Sequence, residues 1–175
     1  MVQFDSQSTD FLTENLPVRE AKTLTEEVYQ PRGMTPLLDA LGATINNTGK
    51  ALSAAPEANR PDKVVFVIIT DGQENASHQF SKQQVKEMIE HQAQVYKWQF
   101  LYLGANQDAF AEAGGIGINA AAAADFMAGN VKAAFAATSV NIANYRQAGN
   151  PAALAYSDTQ RQKLAGDDEK DKQAK

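Results

Sequence analysis

Asp71 leaves the uncharged run Val64-Val65-Phe66-Val67-Ile68-Ile69-Thr70 directly into Gly72. A carboxylate placed there projects from the end of a strand, where it is available for chemistry. Thr35 precedes Pro36 at the head of an apolar-periodic segment, so its hydroxyl can cap a helix or ligate an ion. Carboxylate and hydroxyl oxygens suit a hard cation, Mg²⁺ or Mn²⁺. The same residues also fit an Asp-Gly turn and a helix cap, which are their commoner uses. Asp39 and Glu74 are weaker candidates. Asp39 falls in a first helical turn, where negative charge complements the helix dipole in any case.

Other chemistries find less support. Gly115-Ile116-Gly117-Ile118-Asn119-Ala120 fits Gly-x-Gly-x-x-Ala formally, but a dinucleotide fingerprint needs a strand before it, and here a helix precedes it. His78 and His91 lack the i, i+4 spacing of a helical zinc pair. There is no Gly-x-Ser-x-Gly elbow and no Gly-x-x-x-x-Gly-Lys loop. Without cysteine there is no thiolate nucleophile, thiolate metal site or disulfide. Tyr96, Trp98, Phe100 and Tyr102 alternate as one side of a strand packed beneath a helix.

The elements that must carry these residues are legible from periodicity. Lys63–Thr70 is an unbroken β-branched and aromatic run, which predicts a strand buried on both faces of a parallel sheet. Phe100–Gly104 predicts its parallel neighbour. Helices are expected over 35–53, 81–95 and 129–147, on the two faces of the sheet. The last has Val131, Phe135, Thr138, Ile142 and Tyr145 as its core face and ends near Gly149. Residues 1–4 and 10–13 predict an antiparallel pair at the sheet's far edge, joined through the turn residues Asp5–Thr9. Ile116–Ile118 reads as a short edge strand. This is an α/β domain with a mainly parallel sheet, whose functional loops lie at the carboxyl ends of the strands.

The 175 residues suit one domain, 1–149, followed by a charged, apolar-poor and therefore disordered tail, 150–175. At 43% hydrophobic and 21% charged, the chain has material for a core. A net charge of −5 speaks against a nucleic-acid partner that needs a basic surface. No apolar run reaches the roughly 20 residues of a membrane span, and the N-terminus lacks the pattern of a signal peptide. The expected address is the cytoplasm.

Gly33-Met34-Thr35-Pro36-Leu37-Leu38-Asp39-Ala40-Leu41, followed by Val65-Phe66-Val67-Ile68-Ile69-Thr70-Asp71-Gly72, resembles the von Willebrand factor type A domain family. Asp71-Gly72-Gln73-Glu74-Asn75-Ala76-Ser77, the helix from Gln84 to Gln92 and Phe100–Asn106 are similar to small bacterial and phage proteins of that family. The resemblance covers residues 1 to about 148. It implies a Rossmann-like, three-layer fold and a protein-binding module rather than an enzyme. It also implies a metal-ion-dependent adhesion site to which Thr35 and Asp71 contribute, with Mg²⁺ or Mn²⁺ accepting an acidic side chain from the protein partner.

The family's opening Asp-x-Ser-x-Ser is absent, so the resemblance implies a chain lacking about 30 residues, one βα unit, and with it the first central strand. The metal site is then partial and the ion weakly held or absent. A chain without that strand is also expected to be poorly stable. The rival readings are a metal-assisted hydrolase or phosphotransferase using Asp71, and a truncated product without independent activity. The aspartyl-phosphate families need Asp-x-Asp, and here Ile69 stands two residues before Asp71.

Overall fold

The computed structural model describes residues 1–21, 23–25, 27–29, 33–105 and 108–166. They form two compact units, one from 1–57 and 74–81, the other from 58–73 and 82 onward.

The first unit holds a hairpin and one long helix. Strand β1 (Val2–Phe4) pairs antiparallel with β2 (Thr9–Phe11), Val2 opposite Phe11, in a two-stranded sheet of their own. The expected antiparallel pair is present, but as a sheet of its own and not as the far edge of the parallel sheet, because neither strand hydrogen-bonds to β3, β4 or β5 among the described residues. Asp5 makes the turn, its carboxylate accepting the N–H groups of Gln7 (2.7 Å) and Ser8 (3.2 Å). Helix α1 (Leu37–Ala54) buries Leu37, Leu38, Ala40, Leu41 and Ile45 along one face. Gly42 lies on that face because a β-carbon there would meet the Phe80 ring at 2.6 Å.

The second unit is mixed α/β. Strands β3 (Val65–Thr70), β4 (Gln99–Ala105) and β5 (Ala123–Phe126) form a parallel sheet in the order β3-β4-β5. Val65 lies opposite Gln99, and Tyr102 opposite Ala123. Helix α2 (Lys82–Tyr96) connects the first two strands, and α3 (Ala109–Gly115) the second and third. Helix α4 (Val131–Ala148) ends at Gly149 in the left-handed conformation (φ 68°), where the glycine N–H caps Tyr145. Leu101 and Leu103 of β4 share a buried cluster with Phe126, Ala134, Tyr145, Leu154, Tyr156 and Leu164, against which Val65 and Ile69 pack.

Five further expectations need correction. The run at 63–70 is not buried on both faces. β3 is the edge of its sheet and Val67 is 38% exposed, while β4 is the covered central strand. The short strand lies at Ala123–Phe126, not at Ile116–Ile118; β4 supplies the ladder that its small residues alone do not announce. Helix α4 is rotated by about one residue, burying Ala134, Thr138, Asn141 and Tyr145 and leaving Val131 and Phe135 exposed. Tyr96 ends α2 and is exposed, so only Trp98, Phe100 and Tyr102 of that aromatic series are buried.

The fifth concerns the tail. Residues 150–166 are folded: a 3₁₀ turn at Pro151–Leu154 leads to helix α5 (Asp158–Ala165). Leu154, Tyr156 and Leu164 are buried, and the Arg161 guanidinium donates to the carbonyls of Ala120, Ala121 and Ala123. The rest of the expected tail, 167–175, lies outside the described residues, as does Asn106. No helix among the described residues is long and apolar enough to cross a membrane.

Candidate functional site

Helix α1 begins at Leu37, with Pro36 at the N-cap and no side-chain cap of its own. The sequence reading placed Thr35 at that cap; the helix opens one position later and the Thr35 hydroxyl does not cap it. Something else must satisfy the first free N–H groups of the helix. The segment Glu74–Ser77 does so.

Asn75 and Thr35 hold each other through two hydrogen bonds. The Thr35 N–H donates to Asn75 Oδ1 (2.8 Å), and the Asn75 N–H to the Thr35 carbonyl (3.2 Å). Glu74 accepts the Leu38 N–H on Oε2 (2.9 Å), and the Ser77 hydroxyl accepts the Asp39 N–H (3.1 Å). That hydroxyl in turn donates to Glu74 Oε2 (2.7 Å). Glu74 Oε1 takes the N–H groups of Ala76 (2.9 Å) and Ser77 (2.8 Å). Glu74 is thus a helix cap supplied from far along the chain.

Asp39 works in the opposite direction. From the first turn of α1 its carboxylate accepts the N–H groups of His78, Gln79 and Phe80, each at 2.8 Å. Burial pushes the Asp39 carboxyl up, but these three peptide donors and the neighbouring His78 outweigh it and hold the group below its ordinary value. Glu74 follows the same balance. Burial raises it, and the donors from Leu38, Ser77 and Ala76 bring it below the usual range. Both acids stay ionised because peptide dipoles surround them, and their oxygens are already engaged.

Thr35 and Asp71 differ from these two. Thr35 belongs to the first unit and Asp71 to the second. Asp71 follows the last residue of β3 and is exposed, beside a turn in which the Thr70 hydroxyl donates to the Gly72 carbonyl (2.9 Å). Neither the Thr35 hydroxyl nor the Asp71 carboxylate makes a hydrogen bond among the described residues. They are two available oxygen donors, against the six or so that a hard cation takes. No cluster of three or more His, Cys, Asp or Glu is arranged to hold a metal among the described residues.

Sequence reasoning passed over Asn75 and Ser77. Polar residues following a strand carry no sign of which distant helix they will cap. The hydroxyl three positions after Glu74 was the one local hint, an acid and a hydroxyl at the spacing of a capping pair. His78 and His91 are both exposed, His91 meeting the Tyr96 ring edge-on at 5.8 Å. Comparison of this chain with known protein families, with curated proteins and with solved structures finds no match.

Proposed function

We propose that this chain is a protein-binding module of the von Willebrand factor type A kind, a three-layer Rossmann-like domain with a partial metal-ion-dependent adhesion site. What carries the reading is a division of labour among its oxygens. Thr35 and Asp71, the residues that the resemblance assigns to the ion, keep their side-chain oxygens free. Asp39 and Glu74, their acidic neighbours in sequence, are consumed by peptide N–H groups. A parallel β3-β4-β5 sheet, with α2 and α3 as connections, is compatible with the fold. In the family arrangement a further strand would continue the sheet beyond β3.

In this reading the partner is a protein, recognised through the loops that leave the carboxyl ends of the strands, and the chain is not an enzyme. The two free donors hold Mg²⁺ or Mn²⁺ weakly or not at all, so recognition falls to the loop surface itself. The test is to append a strand–helix unit carrying Asp-x-Ser-x-Ser and measure Mn²⁺ binding by calorimetry. The extended chain gains affinity over the unextended one, and Thr35→Ala or Asp71→Ala removes the gain. An extended chain that folds and binds no better refutes the reading. So does micromolar affinity in the present chain that Asp71→Ala abolishes, because other ligands would then complete the shell.

A further inference from the structure

The edge of the three-stranded sheet has an unusual composition. Exposed edge strands in monomeric proteins are ordinarily short, charged, bulged or broken by proline, since their free peptide groups recruit other strands. β3 has none of these protections from Val64 to Thr70. Its pairing with β4 fixes which peptide groups are free. The Gln99 N–H donates to the Val64 carbonyl (2.9 Å), and Phe66 lies opposite Phe100. In a parallel ladder alternate residues turn their peptide groups to the neighbour. Val64, Phe66, Ile68 and Thr70 therefore face β4, and Val65, Val67 and Ile69 face away from it. Among the described residues β3 has no strand on that outer side.

The outward register continues to Lys63 before the strand and Asp71 after it. Lys63, Val65, Val67, Ile69 and Asp71 are symmetric about Val67. An antiparallel copy laid along this edge with Val67 on the twofold axis sets Val65 against Ile69 of the second copy, and Val67 against its own equivalent. Each of these is a pair whose peptide groups both point across the gap, the hydrogen-bonded type of antiparallel pair. The same register sets Lys63 against Asp71 of the second copy at both ends. Both side chains are exposed; the Lys63 ammonium donates to the Arg146 carbonyl (3.2 Å) and has two further N–H groups to offer, and Asp71 makes no ion pair or hydrogen bond among the described residues. A shift of two residues either way shortens the pairing and separates the charges.

We propose that the open edge of β3 is a self-association surface. Two copies pair β3 to β3 antiparallel about Val67, joining two three-stranded sheets into one of six. The partner is a second copy because the apolar centre and the opposite end charges are self-complementary, as an isologous interface requires. The proposal rests on the sheet edge of this chain alone; the family arrangement would fill that same edge with a further strand, so a chain extended by the strand–helix unit should lose the dimer while this chain keeps it.

Sedimentation velocity of the full chain, up to about 100 µM, tests it, since the dimeric fraction rises with concentration. The expected species is a dimer. Val67→Pro removes only an outward N–H, so the β3–β4 ladder survives, and the variant is a monomer. Trp98, stacked on Phe66 at 5.4 Å, reports by its fluorescence that β3 remains folded. Lys63→Asp places like charges at both ends and weakens the dimer about tenfold or more, as does Asp71→Lys. The double variant K63D/D71K restores it. A monomer at every concentration overturns the proposal, as does a dimer unmoved by Val67→Pro. Failure of the double variant to recover either single loss overturns the register. A monomer that instead captures an added apolar strand peptide gives the edge a different occupant and overturns the self-pairing.

Discussion

Glu74→Gln keeps the shape of the external helix cap and removes its charge. In the native protein Oε1 accepts from Ala76 and Ser77, and Oε2 from Leu38 and the Ser77 hydroxyl. A glutamine can keep its carbonyl on the Ala76–Ser77 side, turning its NH₂ toward Leu38. The Ser77 hydroxyl can rotate and accept; the Leu38 N–H can only donate, and it is left facing another donor. A hydrogen bond to a charged group contributes about 1.5–3 kcal/mol. Lost charge at a helix N-terminus adds about 0.3–1 kcal/mol. The site is only partly buried, so the low end applies and the sum is about 2 kcal/mol, close to 30-fold in an opening equilibrium. Trp98 belongs to the second unit and would report there. The assay is therefore amide hydrogen exchange at Leu38, Asp39 and Ser77, where protection should drop by about that factor at neutral pH. The Glu74 carboxyl is held below its ordinary value of 4.5, so its contribution is complete above that pH and lost as the pH falls through the lower folded value. The difference between native protein and variant should close in acid. Unchanged protection at neutral pH, or a gap that persists in acid, refutes the capping account.

Gly42→Ala should loosen α1 and the 74–80 segment by about 1–3 kcal/mol, because its β-carbon meets the Phe80 ring; exchange at Phe80 and Ile45 measures it. Leu164→Ala should cost about 2–4 kcal/mol of unfolding free energy, measured by urea titration followed by Trp98 fluorescence, since Leu164 is fully buried in the cluster of the second unit. Tyr156 is raised by burial, only partly offset by the Thr138 hydroxyl at 2.8 Å. Stability should therefore hold up to about pH 10 and fall as the pH rises toward the higher folded value, a decline that Tyr156→Phe removes.

The strongest signals in the sequence were those that a single segment carries by itself. The apolar runs at 64–70 and 100–104 announced two parallel strands, and Asp5–Thr9 announced a hairpin turn; all three are present. β5 escaped notice because Ala123-Ala124-Asp125-Phe126 has no β-branched residue. It is a strand through its ladder to β4, and Asp125 serves the next turn of structure by accepting the Ala109 N–H at 2.8 Å. Helix α5 was overlooked for its charge, although Ser157 and Gln160 form a capping box visible in the sequence. Its anchors are the buried Leu164, Arg161 on three carbonyls, the Gln160–Asn141 side-chain bond (2.9 Å) and the Leu164 carbonyl, which accepts from the Met127 N–H (3.0 Å). At the candidate site, Asp39 was legible as an acid in a first helical turn. That it would bind three peptide groups from 78–80 was not, because that pairing depends on chain contacts about 40 residues away.

The discrepancy at β3 is of another kind. Its residues were read correctly and its surroundings were not. A run of Val, Phe and Ile reads as interior because such residues repay burial on both faces and pairing on both edges. Among the described residues β3 receives one neighbour, and Val67 remains 38% exposed. Composition records the environment that suits a strand, while the ladder records what its own chain supplies. Here the two disagree over one segment, and its end charges complement each other about its midpoint, so a second copy of the same segment fits the open edge in the register proposed above.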